Sequence, residues 1–379
     1  MPTALRGSVL AIHEQPTIKQ QLRQESMTSN EATSIQTESW QTGDTAMGLE
    51  RQLVVEQSQA PAKTFDVSVA IRAYNSAETL PAILDNLKSQ VDTDAIQWEI
   101  VVVDNNSTDA TAQIVQRYQD DWNRPYPLKY FLETHQGASF ARKRAIAESQ
   151  GTLIAFLDDD NIPDTKWISA IHTFEQQYPQ AGVFGSQIHG DFEVPPPKDF
   201  RKIQGFLAIK EYGTLPRKFN ADLLDLPAGA GMVVRKHVWL ETVPNKLKLK
   251  GPVANSLASK GEDFESMIHI SRAGWEIWYN PKMCIHHKVP AWRLEEEYLQ
   301  ELVRCSGLNI CTLRFSRAAI WQKPLIATRI ILGSTHKALK HFWEYKGNFS
   351  DDIVARCQMT FYLSCLMSPF THIVRQLKK

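Results

Sequence analysis

The sequence predicts an α/β fold, with an open, mostly parallel sheet flanked by helices and a C-terminal helical extension. Three observations support this class. From Asp66 onward, short apolar runs alternate with segments of helical period. Several of these runs are continuously apolar, as parallel strands buried on both faces are. After Pro290 the pattern stays helical to the end of the chain.

The elements can be placed in order along the chain. Five apolar runs predict strands: Val67–Ala73, Glu99–Val103, Leu128–Leu132, Thr152–Leu157 and Gly182–Gln187. Three sets of residues at helical spacing predict helices between them: Leu80, Ile83, Leu84 and Leu87; Ala138, Ala141 and Ala145; Trp167, Ile168, Ile171, Phe174 and Tyr178. Ligands of such sheets bind beyond the carboxyl ends of the strands, so the residues after each run are candidate site residues.

The chain divides into three predicted regions. Residues 1–60 are rich in Gln, Ser, Thr and Glu without a sustained apolar period, which predicts a disordered polar extension. A natural start at Met27 or Met47 is an alternative interpretation. Residues 61–290 hold the α/β domain, and residues 291–379 form the helical extension.

The helical extension invites a membrane hypothesis. The stretch between Arg356 and Arg375 is uncharged, but its polar residues and Pro369 make it a poor spanning helix. In Leu325–Trp343, apolar residues are set against Arg and Lys. We expect either a contact at the membrane interface or ordinary packing onto the α/β domain.

Charge and cysteine content narrow the class of protein. The 42 basic and 42 acidic residues cancel, so no overall field favours nucleic acid. Five cysteines without CxxC spacing suit reduced, buried thiols. The N-terminus lacks a secretory pattern, and we expect a cytoplasmic protein, either free or peripheral on the inner face of the cytoplasmic membrane.

Three adjacent carboxylates follow the fourth predicted strand: Asp158, Asp159 and Asp160. Such neighbours repel one another unless a cation neutralises them, and their oxygens suit a hard ion such as Mg²⁺ or Mn²⁺. A solvated loop explains the triplet equally well, because Asp is common in turns. Asp104 holds the corresponding position after the second strand, where it could accept a hydrogen bond from a nucleobase.

Three further groups carry candidate chemistry. Glu262 and Asp263 are either first-turn acids of a helix or, for Asp263, a general base. His286 and His287 lie on opposite faces of an extended run, so one of them at most can face the site. The basic run that begins at Arg142 is either a solvated helical face or a source of one cation for phosphates.

Taken in order, these motifs resemble glycosyltransferase family two. The residues that carry the resemblance are Val67 to Asn75, Val101 to Asp109, Gln136-Gly137 with Ala141-Arg142, Leu157 to Asn161, and Gly261-Glu262-Asp263. The resemblance implies a GT-A fold, a nucleotide-diphosphate-sugar donor, a divalent cation (Mg²⁺ or Mn²⁺) and inversion at the anomeric carbon. The implied acceptor is a polysaccharide or a lipid-linked glycan.

The resemblance also implies a role for each matching residue. Tyr74 and Asp104 are expected to hold the base, with Arg142, Asp158 and Asp159 on the rest of the donor nucleotide. Asp158 and Asp160 are expected to ligate the metal, and His287 to join them. Asp263 is expected to be the catalytic base, with Glu262 as its partner.

A narrower resemblance concerns the segments Gly185 to Val194, Ala273 to Pro281 and Trp292-Arg293-Leu294. They are similar to the hormogonium polysaccharide glycosyltransferases of filamentous cyanobacteria, which implies exopolysaccharide assembly. In that pattern the second histidine is the one retained, which favours His287. Arg72 departs from the family pattern, because many relatives have proline there. The Gln-x-x-Arg-Trp signature of processive synthases is missing, which favours one sugar per encounter.

Two other functions compete with this interpretation. A nucleotidyltransferase on a similar sheet would need a glycine-rich phosphate loop after the first strand, and Arg72-Ala73-Tyr74-Asn75 is not one. A non-catalytic sugar-nucleotide-binding module would be expected to lose Asp263 or the Asp triplet, and both are present.

Overall fold

The computed structural model describes residues 64–251, 257, 260–346, 349 and 352–377; the predicted disordered extension, residues 1–60, lies outside them. Within these residues the strands are β1 (Phe65–Ala73), β2 (Trp98–Asp104), β3 (Leu128–Leu132), β4 (Gly151–Asp158), β5 (Asn161–Pro163), β6 (Ala181–Phe192), β7 (Arg217–Lys218), β8 (Met232–Arg235) and β9 (Glu276–Val289). The helices are α1 (Leu80–Lys88), α2 (Thr111–Asp120), α3 (Ala138–Glu148), α4 (Trp167–Gln177), α5 (Lys236–Thr242), α6 (Glu262–Arg272), α7 (Glu296–Ser316), α8 (Lys323–Glu344) and α9 (Ile353–Leu377).

The described strands form one sheet in the order β3-β2-β1-β4-β8-β6-β9-β5, with β7 paired to β9. Strands β3, β2, β1 and β4 are mutually parallel, so their carboxyl ends share one edge. Strand β8 joins this half to the parallel pair β6 and β9 through antiparallel contacts. The structure therefore confirms the predicted class, an open sheet flanked by helices with a C-terminal helical part.

The five predicted strands are all present. The run Leu128–Leu132 is matched residue for residue, and the other four strands are longer than predicted. The largest difference in length is at the predicted strand Gly182–Gln187, because β6 continues to Phe192 alongside β9. Strands β5, β7, β8 and β9 complete the sheet.

Helices cover both faces of the sheet, as the apolar periods predict. On one face, α1 and α4 bury their apolar stripes against the strands, with Trp167 fully buried. On the other face, α3 approaches closely through Ala141 and Ala145, and α6 packs with Met267 and Ile268. Removing this much apolar surface from water is the main stabilising contribution to the fold.

A buried carboxylate, that of Glu99, joins neighbouring strands near their amino ends. Glu99 on β2 has no exposed surface, and its Oε1 accepts a hydrogen bond from Ser68 Oγ at 2.6 Å. Lys129 Nζ on β3 lies 2.7 Å from Glu99 Oε2, and Gln150 N donates to Oε1 at 2.6 Å. Glu99 thus makes structural contacts, hydrogen bonds at Oε1 and an ion pair at Oε2, at the opposite edge of the sheet from the candidate site residues.

The C-terminal helices pack as a layer of their own. Helices α7 and α9 meet closely at Gly307, where an added Cβ would lie 2.6 Å from Ser364 Cβ. Helix α8 buries Ile330, Ser334 and His341, whereas Leu325 and Leu339 are exposed. Among the described helices, none has the length and apolar character to cross a bilayer.

Candidate active site

One cavity of about 900 Å³ opens at the carboxyl edge of the parallel strands. It contains eight of the nine residues assigned to the site from the sequence: Tyr74, Arg142, Asp158, Asp159, Asp160, Glu262, Asp263 and His287. The ninth, Asp104, is not among the lining residues, although its neighbour Asn105 is. The cavity thus joins the strand-end carboxylates with the start of α6.

Asp104 is engaged in local structure. Its carboxylate is 2% exposed, Oδ1 accepts from Ser107 N at 2.8 Å, and Oδ2 accepts from the Tyr130 hydroxyl at 2.8 Å. Burial, together with this bond to Asp104, raises the pKa of Tyr130. Asp104 therefore shapes the turn after β2, and a nucleobase would reach it only in competition with these partners.

Asn105 contributes to the site in a way that sequence reasoning missed. Its Nδ2 donates to the carbonyl oxygen of His135 at 2.8 Å, and its Oδ1 accepts from Gly137 N at 2.7 Å. Gly137 has a φ of +136°, which favours glycine, and α3 begins at the next residue. Asn105 thus fixes the start of the helix that delivers Arg142.

Arg142 is buried, with 2% exposure, so a solvated helical face is the wrong interpretation for this residue. Its Nη2 lies 3.4 Å from Glu262 Oε1, and its Nε and Nη1 are buried without a hydrogen-bond partner. Lys143, the next residue, is exposed. The pKa of Arg142 is lowered by burial and then by the nearby Arg72.

Arg72 links the two halves of the cavity. Its guanidinium forms an ion pair with Asp158, and its Nη1 lies 3.7 Å from Glu262 Oε1. Burial and then the Asp263 charge raise the pKa of Glu262, whereas Arg142 and Arg72 lower it. The residue that departs from the family pattern therefore holds Asp158 and faces Glu262.

Asp159 and Asp160 have opposite environments. Asp159 Oδ2 accepts hydrogen bonds from the Ser76 hydroxyl and, at 3.3 Å, from Tyr74 N. Burial, and then the neighbouring Asp160 charge, raise the pKa of Asp159 to about 6. For Asp160, burial is outweighed by His287 and Arg293, which lower its pKa.

The candidate metal ligands come together only in part. Asp160 Oδ2 lies 3.3 Å from His287 Nε2, but Asp158 is paired with Arg72 instead. In the described part of the chain, no three His, Cys, Asp or Glu side chains are grouped to hold an ion. Of the predicted ligands Asp158, Asp160 and His287, the structure thus brings the last two into contact, whereas Asp158 is paired with Arg72.

The Arg293 side chain contacts both members of this pair, Asp160 and His287. Its Nη1 donates to Asp160 Oδ2 at 2.7 Å and lies 3.0 Å from His287 Nε2. A guanidinium has only donors, so Nε2 can accept from it only in the tautomer whose proton is on Nδ1, an atom that is buried without a hydrogen-bond partner. One carboxylate oxygen and one imidazole nitrogen therefore both contact the positively charged Arg293.

These donors fit a divalent cation that arrives with its substrate. Mg²⁺ is commonly held by one or two protein groups together with phosphate oxygens and water. Carboxylate oxygen and neutral imidazole both suit first-row divalent ions. Arg293 was not predicted as a site residue. The feature of the sequence that could have indicated it is its position six residues after His287; in the structure it lies in the turn Ala291–Leu294.

Asp263 stands at the start of α6, after Gly261 with a φ of +111°. Its Oδ1 accepts from Phe264 N at 2.9 Å. The backbone of Gly229 passes so close that an added Cβ would lie 2.6 Å from Asp263 Oδ2. The Gly229-Ala230-Gly231 segment thus lets the chain approach the carboxylate closely.

His286 takes no part in the cavity. It alternates outward along β9, and its Nε2 lies 3.1 Å from the exposed Asp164 Oδ1. His287 is 5% exposed and faces Asp160. The preference for the second histidine therefore agrees with the geometry.

Comparison with known proteins shows similarity to glycosyltransferases over part of the chain. Residues 68–238 match the family described as Glycosyl transferase family 2. A putative teichuronic acid biosynthesis glycosyltransferase, TuaG of Bacillus subtilis, is 36% identical over 101 residues, 27% of this chain and 36% of that protein. An uncharacterized glycosyltransferase of Nostoc sp., alr2836, is 31% identical over 212 residues, 56% of each chain.

These matches are partial. The matched segment spans about a third of TuaG, and likewise 33% of the glycosyltransferase AglE of Haloferax volcanii, which is 35% identical over 27% of this chain. Among solved structures, the mannosyltransferase PcManGT of Pyrobaculum calidifontis, in complex with GDP-Man and Mn²⁺, aligns with a TM-score of 0.48 and 18% identity. That alignment covers 82% of this chain and 88% of the other.

Proposed function

We propose that this chain, whose residues 68–238 match glycosyl transferase family 2, is an inverting, divalent-metal-dependent glycosyltransferase. It transfers a sugar from a nucleotide-diphosphate-sugar to a hydroxyl of a polysaccharide or lipid-linked glycan. The pathway we propose is exopolysaccharide biosynthesis of the hormogonium type.

The observation that carries the proposal is that one cavity is lined by Asp160, His287 and Asp263 together. A transferase needs a site for the leaving diphosphate on one side of the sugar and a base on the other. The first pair supplies ligands for Mg²⁺ or Mn²⁺, and Asp263 supplies the base. Asp160 lies in the turn after β4, His287 on β9 and Asp263 on α6, which are remote from one another in sequence.

On the donor side, the proposed role of the chain's residues is to bind and orient the nucleotide-diphosphate-sugar. Tyr74 lies beside Asp159 at the end of β1, where the base and ribose are proposed to bind, with Asp104 shaping the adjacent turn. Asp158 is kept in place by Arg72. When bound, the cation neutralises charge that develops on the departing diphosphate. Arg293 and Arg142 stand close enough to add positive charge to the same region.

On the acceptor side, Asp263 is the proposed proton acceptor. Its Oδ2 faces the Gly229 backbone, while the neighbouring Glu262 is held by the partly buried Arg72 and the buried Arg142. A proton leaves the acceptor hydroxyl as its oxygen attacks the anomeric carbon from the face opposite the diphosphate. Double displacement would need a second carboxylate as nucleophile. Asp158 and Asp160 are each paired with an arginine, which supports single displacement.

The test is a donor hydrolysis and transfer screen with UDP-, GDP- and dTDP-sugars plus Mn²⁺, run on the wild type and on Asp263→Asn. We expect Asp263→Asn to lose turnover by at least about a hundredfold, as a lost general base does, with donor binding retained. Asp225→Asn, a half-exposed carboxylate paired with Arg217, is the matched control and should keep full activity. Proton NMR of the product reports the anomeric configuration. Retention of configuration, or full activity of Asp263→Asn, would refute the mechanism.

A further inference from the structure

The outer face of α8 carries a line of exposed apolar side chains. Leu325, Leu332, Leu339 and Trp343 follow one another at intervals of seven, seven and four residues, which places them on one side of the helix. Their exposed fractions are 50%, 65%, 55% and 77%. Trp321, 76% exposed, stands four residues before the first of them. We call these five residues the α8 stripe.

Helix α9 has a similar line, the α9 stripe, formed by Leu363, Met367, Phe370, Val374 and Leu377. Their spacing of four, three, four and three residues keeps them on one face, and each is between 48% and 81% exposed. The opposite face buries Ser364, Cys365 and Ser368. This helix therefore turns its small residues inward and its large apolar residues outward, the reverse of an ordinary surface helix.

The net charge of this part of the chain indicates what kind of surface would cover the two stripes. Residues 323–377 contain seven Lys and Arg against three Asp and Glu, in a chain whose 42 basic and 42 acidic residues cancel overall. Arg329 follows Leu325 by one turn, and Lys340, whose Nζ lies 3.7 Å from Glu344 Oε1, precedes Trp343 by three residues; both cations are exposed. Apolar residues flanked by cations suit a surface with an apolar interior and anionic headgroups.

A second copy of this chain suits the α8 stripe less well. A twofold interface would bring the same patch of both subunits together, with Arg329 and Lys340 among like charges. The tryptophans at the two ends, Trp321 and Trp343, are the residue type that settles at the boundary between lipid and water. In the described residues no helix can span a bilayer, so the contact is peripheral.

The α9 stripe lies next to the candidate active site. Phe361, two residues before Leu363, lines the cavity on the other side of α9, and Asn309 and Leu313 of α7 line it nearby. A bilayer seated on the stripe would therefore lie close to the acceptor side. This step, from membrane contact to a lipid-linked acceptor, rests on the proposed function; the membrane contact itself does not.

We propose that the α8 and α9 stripes together dock this protein on an anionic phospholipid bilayer. The apolar side chains enter the interface and the basic residues meet the lipid phosphates.

The test is sedimentation of the full chain with vesicles of phosphatidylcholine alone or mixed with phosphatidylglycerol, at low and high salt. We expect binding to the mixed vesicles, weakened by salt. Leu325→Gln/Leu332→Gln/Leu339→Gln, and separately Leu363→Gln/Met367→Gln/Phe370→Gln, should each reduce binding at least about tenfold. The matched control, Leu215→Gln/Leu223→Gln/Leu240→Gln, changes residues that are 76%, 69% and 63% exposed outside these helices and should bind as the wild type does.

Brominated lipid gives a second readout. Tryptophan fluorescence of the bound protein should be quenched, and Trp321→Phe/Trp343→Phe should lose most of that quenching. The proposal is overturned if the wild type ignores anionic vesicles at low salt, or if the stripe variants bind as well as the control. It is equally overturned if the stripes prove to be a protein interface, so that the variants turn a dimer into a monomer while vesicle binding is absent. Vesicle binding needs no donor, so its failure is distinguishable from failure of the transferase proposal.

Discussion

Asp160 Oδ2 and His287 Nε2 lie 3.3 Å apart, although 127 residues separate them in the chain. Strand pairing creates this contact. Asn161 of β5 is opposite His287 of β9, and Lys288 N donates to the Asp160 carbonyl oxygen at 3.0 Å. The backbone therefore sets the distance between the two side chains before any ligand binds.

The first prediction concerns this pair. Asp160→Ala should weaken Mn²⁺ binding in the presence of UDP or GDP at least about tenfold, because it removes the only carboxylate of the pair. Titration calorimetry measures the affinity. Asp164→Ala is the matched control, since Asp164 also faces a histidine of β9, His286 at 3.1 Å, but is exposed. Equal loss of affinity in both variants would show that general charge, not the pair, binds the ion.

The second prediction concerns Arg293, whose guanidinium stands where the cation would bind. Arg293→Met should strengthen Mn²⁺ binding without nucleotide by about tenfold, because a competing positive charge is removed from both donors. Electron paramagnetic resonance of free Mn²⁺ measures this directly. With donor and acceptor present, turnover should fall, since the variant loses positive charge beside the diphosphate. Weaker Mn²⁺ binding in Arg293→Met would mean that the guanidinium supports the site instead of filling it.

The third prediction concerns Arg72. Arg72→Met removes the partner of Asp158 and a cation near the buried Glu262, which is 4% exposed. Removing one partner of a buried ion pair costs roughly 3 to 5 kcal/mol; partial exposure of Asp158 places our expectation at about 3 kcal/mol of unfolding free energy. Arg217→Met, at a half-exposed pair with Asp225, should cost about 1 kcal/mol or less. Urea denaturation measures both values, and similar losses would contradict the prediction.

Local patterns predicted the parallel half of the fold well, because its strands are largely apolar runs and helices α1, α3 and α4 beside them have a clear apolar period. The remaining strands carry weaker signals. Strand β8 has four residues, and β7 has two, so neither is long enough to establish a period. Strand β9 is long, but its parallel partner β6 begins about 95 residues earlier in the chain, which no local pattern reveals.

The candidate site, like the fold, could be predicted from local patterns only in part. Placement of the Asp triplet at a strand end follows from the sequence, because strands and their ends could be read. The contacts of each carboxylate do not follow from the sequence, because they depend on residues that are distant along the chain. Arg72 captures Asp158, and Arg293 reaches Asp160 from 133 residues away. Burial of Arg142 likewise depends on α6, which brings Glu262 against a helix that looked solvated.

The fourth prediction concerns the thiols, which are free in the described structure. Burial raises the pKa of Cys305 and Cys357 to about 11, and of Cys311 and Cys365 to about 12. At pH 8 only about a thousandth or less of each is thiolate, the reactive form. Native protein should therefore react slowly with iodoacetamide, and half-exposed Cys284 should react first. Mass spectrometry identifies the labelled sites, and labelling in guanidinium is the control in which all five react. Rapid labelling of Cys311 in the native state would contradict the buried environment.

The fifth prediction tests the backbone beside the candidate base. Gly229→Ala would place a Cβ 2.6 Å from Asp263 Oδ2 and 3.2 Å from Arg142 Nη2, so the carboxylate must move. A displacement of about 1 Å at a catalytic group can cost about a hundredfold in rate, and we expect kcat to fall by that order with KM for the donor little changed. Gly205→Ala is the matched control: Gly205 also lines the cavity, but its added Cβ would meet only Lys210 Nζ at 3.7 Å. Because the strain at Gly229 acts on Asp263, Gly229→Ala combined with Asp263→Asn should be scarcely slower than Asp263→Asn alone. Fully additive losses in that double variant would separate Gly229 from the base and assign its effect to the fold.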